Sequence, residues 1–229
     1  MITDTPQADI VESQDAETLD AIDQLRDCGR LFHQRGWSVG TSSNYSAVFQ
    51  RDPLQLIITA SGKDKGRLNR EDFVVVDSNG KPVRHGQPKS SAETLLHCCA
   101  AKDQSVNAVL HTHSVWGTIL SDHFFDEAAA RRSGFRIEGY EMLKGLEGIT
   151  THETSIYVPI FENTQDIPRL AEQVQLYLDG NDGCYGYLIR RHGMYTWGKS
   201  IEAARRHVEI FEFLFEVLGR RLTVSSGTR

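Results

Sequence analysis

Apolar positions recur at helical spacing over residues 18–35, where Leu19, Ile22, Leu25 and Phe32 share a face and Gly36 ends the run. Two runs with strand character follow over 45–49 and 54–60, separated by an Asp52-Pro53 turn. A short strand over 73–77 turns at Ser78-Asn79-Gly80. The pattern then predicts a helix over 91–102, a buried strand over 107–113 and a helix over 115–120. Residues 122–153 show no clear period. Beyond them come a strand over 156–160, a helix over 166–178, and a strand, tight turn and strand over 185–197. The last helix, 201–218, carries Ala204, Val208, Phe211, Phe215 and Leu218 on one face.

Helices and strands alternate along the chain, with no internal repeat and no linker. This predicts one α/β domain, a three-layer αβα arrangement with helices on both faces of the sheet. The hairpin turns make that sheet mixed. The domain is expected to span residues 15–222, between a disordered tail at 1–14 and a frayed end at 223–229.

The 229 residues suffice for one large core. Apolar residues at 39% and charged residues at 24% are ordinary for a soluble globular protein. The net charge is −6 and no Lys/Arg-dense run occurs, which argues against nucleic acid or an anionic membrane as partner. The polar N-terminus has no apolar leader, and no run approaches a membrane span. Cys28, Cys98, Cys99 and Cys184 form no C-x-x-C pair and read as reduced thiols of a cytoplasmic protein.

The chemistry centres on His111-Thr112-His113. Residues two apart on a strand face one way, so both imidazoles point to one side. His192, in the turn Arg191-His192-Gly193, can add a third ligand and leave a coordination position open, as catalytic zinc requires. Gly193 is expected to permit the sharp reversal. His97 shares a helix face with Glu93 and reads as packed, while His33 and His207 read as near the surface.

Three loops of small residues, Thr41-Ser42-Ser43-Asn44, Ser61-Gly62-Lys63 and Ser90-Ser91, suit an anion, with Lys63 as a source of positive charge. Glu93 and Glu141 are candidate general acid/bases. Glu141 lies between Gly139 and Gly145 in a stretch of poor apolar pattern, as a loop over a site would. Taken singly, each feature also fits a plain structural role: a polar strand end, turn and cap chemistry, or a solvated carboxylate.

Six segments, in order, resemble the class II aldolase and adducin family. They are Gly40–Ser46, Thr59–Gly66, Ser91–His97, His111–Ser114, Glu141–Gly145 and Arg191–Gly198. The resemblance implies a Zn2+ ion held by His111, His113 and His192. It implies a phosphate pocket at Asn44, Ser61, Gly62 and Ser91, and a homotetramer with sites near subunit interfaces. The aldolases carry two serines before the glutamate matching Glu93; Ser91-Ala92 here is similar to the family's sugar-phosphate dehydratases instead. In the aldolases that glutamate transfers the proton, whereas in the dehydratases the role falls to the one matching Glu141. The expected reaction is loss of water from a small ketose phosphate, with metal-stabilised enediolate chemistry and no redox cofactor. The alternatives are an aldolase cleaving a related ketose 1-phosphate and a non-catalytic adducin-like interaction module, which lacks the metal histidines.

Overall fold

A computed structural model describes residues 16–226. The expected tail at 1–14 lies outside the described residues, as do 227–229. The elements are α1 (Ala16–Gln34), β1 (Asn44–Gln50), β2 (Gln55–Thr59), β3 (Phe73–Asp77), α2 (Thr94–Ala101), β4 (Ala108–Thr112), α3 (Val115–His123), β5 (Gly134–Glu138), β6 (Ser155–Phe161), α4 (Ile167–Asp179), β7 (Gly186–Ile189), β8 (Gly193–Gly198) and α5 (Ile201–Ser226).

The eight strands form one sheet in the order β3-β2-β1-β4-β8-β7-β6-β5. Strands β6 and β7 pair in parallel, and the other neighbours are antiparallel. The sheet is mixed, as the hairpin turns predict. Consecutive side chains alternate between its faces. Leu110 joins Phe32 of α1, Leu120 of α3, and Val208, Phe211 and Phe215 of α5 in one core. Its neighbour Val109 joins Leu96 of α2 and Leu170 and Val174 of α4 in the other. Strand β4 is therefore buried on both faces, the polar His111 and Thr112 at its C-terminal end included. The αβα layering follows from these two cores.

Three elements depart from the sequence pattern. Helix α2 begins at Thr94, so Ser91 and Glu93, expected in its first turn, precede it. In the stretch without a period, β5 pairs with β6 and buries Phe135 and Ile137 while Arg136 and Glu138 face out. Five alternating residues at a sheet edge give too short a signal to stand out. Helix α5 runs to Ser226, past Gly219 and into the segment expected to fray. Gly219 does not cap the helix. A Cβ there would lie 2.1 Å from the Trp116 ring, so the glycine lets α3 approach α5.

Candidate active site

The site lies at the C-terminal end of β4, where β1 and β8 flank it. His111 pairs across β4–β1 with Asn44 and across β4–β8 with Tyr195. Tyr195 stacks under the His111 ring at 4.0 Å. His113 stands just past the strand end, its N–H bonded to the Trp37 carbonyl at 2.7 Å. His192 occupies the turn from β7 to β8. The left-handed residue of that turn is Arg191, with φ 54°, not Gly193. The Arg191 N–H donates to Ser121 Oγ at 2.9 Å, and its side chain pairs with Asp122. Gly193 is required for close approach instead, because a Cβ there would lie 2.1 Å from the Thr112 carbonyl oxygen and 3.0–3.1 Å from both histidine rings.

One ring nitrogen from each of His111, His113 and His192 lies within 4.8 Å of the others. The Nε2 atoms of His111 and His113 are 2.7 Å apart. His111 Nδ1 donates to the Met194 carbonyl at 2.9 Å, which leaves its Nε2 lone pair facing the other rings. Burial, then the neighbouring His113 and His192, holds His111 well below the usual imidazole range. Burial, then His192 and Lys65, pushes His113 down to about 4. Both shifts favour the neutral imidazole, the form in which a ring nitrogen can bind a metal. Three converging imidazoles with an open side are the donor set of a divalent metal, so the residues fit one.

Glu93, immediately before α2, brings a carboxylate to this point. Its Oε1 lies 3.2 Å from His192 Nε2 and its Oε2 3.5 Å from His111 Nε2. Asn44 Nδ2 donates to Glu93 Oε2 and to Ser91 Oγ, each at 3.0 Å. The Asn44 Oδ1 must then accept, and its partner is His97 Nε2. His97 Nδ1 in turn accepts from Ser46 Oγ at 2.7 Å. Burial pushes His97 down to about 3, which keeps it neutral for this role. His97 is packed, as its helix position suggests, and it orients the asparagine that orients Glu93.

Beside the triad opens a cavity of about 260 Å³ lined by Asn44, Ser61, Gly62, Ser91, Glu93, His113 and His192. All four residues expected around the phosphate reach it. Lys63 is not among its lining residues and pairs with Asp72 at 2.8 Å. Lys65, 1% exposed, stands in the wall. Asn163, Thr164 and Gln165, from the loop before α4, also line it. Nothing in their local sequence distinguishes them from an ordinary polar loop.

Glu141 is placed elsewhere. It begins a 3-10 turn, Glu141–Gly145, and its side chain is 68% exposed. One oxygen lies 2.7 Å from Lys144 Nζ and the other 3.5 Å from His152 Nδ1. The Lys144 hydrogen bond holds its pKa below the usual carboxylate range. It does not line its own chain's cavity. His207, expected near the surface, is buried; its Nδ1 donates to the Trp197 carbonyl and its Nε2 accepts the Glu147 N–H. Among the described residues, no helix is long and apolar enough to cross a membrane.

An imidazole triad that could hold a metal ion stands at the end of a central strand, with the chain's small-residue loops gathered beside it. Residues 23–218 match the family of the class II aldolase and adducin N-terminal domain, and the chain belongs to that family. The methylthioribulose-1-phosphate dehydratase of Pseudomonas aeruginosa is 46% identical over 203 residues, covering 88% of this chain and 95% of that one. The methylthioribulose-1-phosphate dehydratase of Marinobacter nauticus is 45% identical, with 86% and 91% covered. Among solved structures, an L-fuculose 1-phosphate aldolase superposes with a TM-score of 0.68 at 21% identity, over 89% of this chain and 87% of that one. The L-fuculose-1-phosphate aldolase of Thermus thermophilus gives 0.67 at 20%, over 92% and 98%. At that identity the structures establish the fold.

Proposed function

We propose that the chain is a zinc-dependent dehydratase that converts 5-methylthioribulose 1-phosphate to 2,3-diketo-5-methylthiopentyl 1-phosphate in methionine salvage, as a cytoplasmic homotetramer. The observation that carries the reading is the three-histidine centre opening onto the cavity of Asn44, Ser61, Gly62 and Ser91. The dehydratase relatives supply the substrate. Four free cysteines, three of them buried, suit a reducing compartment.

In this reading His111, His113 and His192 hold the metal, which when bound supplies Lewis-acid stabilisation of the charge developing on the substrate's ketone oxygen. Backbone and hydroxyl donors at Asn44, Ser61, Gly62 and Ser91 hold the phosphate and so place C3 and C4 of the sugar. The reaction removes the C3 proton and expels the C4 hydroxyl as water, after which the enol ketonises; a carboxylate takes the C3 proton and helps the hydroxyl leave, and one group can do both if elimination is on one face. Glu93 stands at the metal centre of its own chain, fixed by Asn44. Glu141 is the general acid/base; from its exposed turn it serves the site of a neighbouring subunit.

Metal analysis and product identification test the proposal together. The purified protein should hold about one zinc per chain, the occupancy of one three-histidine centre. His111→Ala, His113→Ala and His192→Ala should each lose it, and a Cys98→Ser/Cys99→Ser variant should keep it. Incubation with 5-methylthioribulose 1-phosphate should give the diketone phosphate. Dihydroxyacetone phosphate and an aldehyde would make the protein an aldolase.

A further inference from the structure

The cavity wall contains a buried cation outside the phosphate-binding set named above. Lys65 opens the 3-10 turn Lys65–Arg67 and is 1% exposed. The turn is held from several sides. Asp64 Oδ1 accepts the Gly66 N–H at 2.9 Å. The Lys65 carbonyl packs on α1 so closely that a Cβ on Gly29 would lie 2.3 Å from it. The His33 ring stands against Gly66, where a Cβ would lie 2.7 Å from it. The backbone at residue 65 is thereby pinned, and its side chain is directed inward.

An ammonium group has three N–H donors. Lys65 Nζ donates to the carbonyls of Lys63 at 2.6 Å and Thr41 at 3.4 Å. Among the described residues no carboxylate comes within ion-pair distance of it, whereas Lys63 next to it in the loop pairs with Asp72. A buried ammonium whose hydrogen bonds go to carbonyls is costly. Burial pushes its pKa down to about 8, against the opposing pull of the Asp64 and Asp72 carboxylates beyond ion-pair distance. On the same wall the Ser43 hydroxyl is buried with no hydrogen-bond partner among the described residues. The molecule as a whole carries a net charge of −6 and repels anions. Glu93, at the histidine end of the cavity, is a carboxylate of its lining, but among the described residues no carboxylate forms an ion pair with Lys65, so the ammonium is left without a direct anionic partner.

We propose that Lys65 is the charged partner of the substrate's phosphate group, and that it makes the site select a phosphate monoester over the free ketose. This rests on the sugar-phosphate reading of the cavity. The dianion would take the open face of the ammonium and complete the donor set of Ser61, Gly62 and Ser91 with one full charge.

The test compares wild-type zinc enzyme with Lys65→Met, using inorganic phosphate as probe by calorimetry and the ketose phosphate in turnover. Loss of a charged hydrogen bond should weaken phosphate binding and raise KM for the phosphorylated substrate by roughly 10- to 100-fold. Zinc content should not change, and thermal stability without phosphate should hold or rise, because an uncompensated buried charge is gone. If Lys65 merely ties the Thr41 and Lys63 loops together, Lys65→Met would lose stability and zinc while binding phosphate like wild type once folded, and the proposal would fall. Should that variant not fold, Lys65→Gln, which can still donate to both carbonyls, takes its place; failure of both would assign Lys65 to folding. A wild type that turns over the phosphate ester beside a Lys65→Met enzyme of equal KM and phosphate affinity overturns this inference alone. A wild type that neither binds phosphate nor turns over the ester overturns the functional reading with it.

Discussion

Glu93 owes its position to hydrogen bonds that begin on the far side of the cavity wall, from Ser46 through His97 to Asn44. Glu141 has no such support and sits in solvent beside Lys144. The two carboxylates therefore make separable predictions. Glu141→Gln should lose roughly a hundredfold to ten-thousandfold in turnover, the usual cost of a removed general acid/base, and keep its zinc. Near-normal turnover there, beside a dead but zinc-replete Glu93→Gln, would assign the proton transfer to Glu93. Another buried acid tests the end of β4. Glu212 of α5 accepts from Thr112 Oγ1 at 3.2 Å, and burial pushes its pKa up to about 7. Since the folded pKa lies above the unfolded one, the folded protein binds the extra proton. The stabilising effect is full below the ordinary carboxylate pKa and disappears as pH rises through 7. Relative to wild type, Glu212→Gln should gain up to about 3 kcal/mol on going from pH 5 to pH 8 by chemical denaturation. An unchanged gap between the two pH values would show that the carboxyl ionises ordinarily. The histidine types and their spacing were readable along the chain. The buried state of Glu212 was not, because it depends on Thr112, a hundred residues away.

Strand β8 is where a single backbone position constrains the three-histidine cluster. Its first residue, Gly193, lies against the Thr112 carbonyl and between two ligand rings. Gly193→Ala forces either β8 or β4 to move. We expect a loss of about 1–3 kcal/mol in stability, the usual range for overpacking, together with reduced zinc content. Gly183→Ala, with nothing within 4 Å of the new methyl, is the control and should stay within about 0.5 kcal/mol. Wild-type zinc content in Gly193→Ala would show that the two strands can separate without disturbing the ligands. At this scale the sequence was readable wherever a periodic run was long, as in α1, α5 and the buried strand β4. It was unreadable at β5, an edge strand of alternating residues. The φ of 54° at Arg191 was hidden because a glycine stood two residues away and offered a simpler explanation of the turn.

For the whole molecule, Glu141 lies outside the cavity of its own chain, so its proposed role is tested through assembly. If Glu141 serves a neighbouring subunit, two inactive variants should rescue each other. Mixed tetramers of Glu141→Gln and His113→Ala contain interfaces that pair an intact triad with an intact glutamate. Random exchange should restore up to about a quarter of wild-type turnover. No recovery in mixtures shown to exchange subunits would confine each site to one chain. By itself the sequence determined the αβα class, the mixed sheet and the three imidazoles, because strand and helix periods are properties of adjacent residues and survive in any context. It also determined the ordered set of small-residue loops, because turn chemistry is local. Tertiary structure alone decided that Lys65 and not Lys63 stands in the cavity wall, that Glu93 and not Glu141 meets the histidines of its own chain, and that Gly193 serves close approach. Each of those facts depends on which strands become neighbours. The order β1-β4-β8 brings Asn44, His111 and Tyr195 side by side from positions far apart in the chain, and no local pattern records that a residue's partner will arrive from so far away.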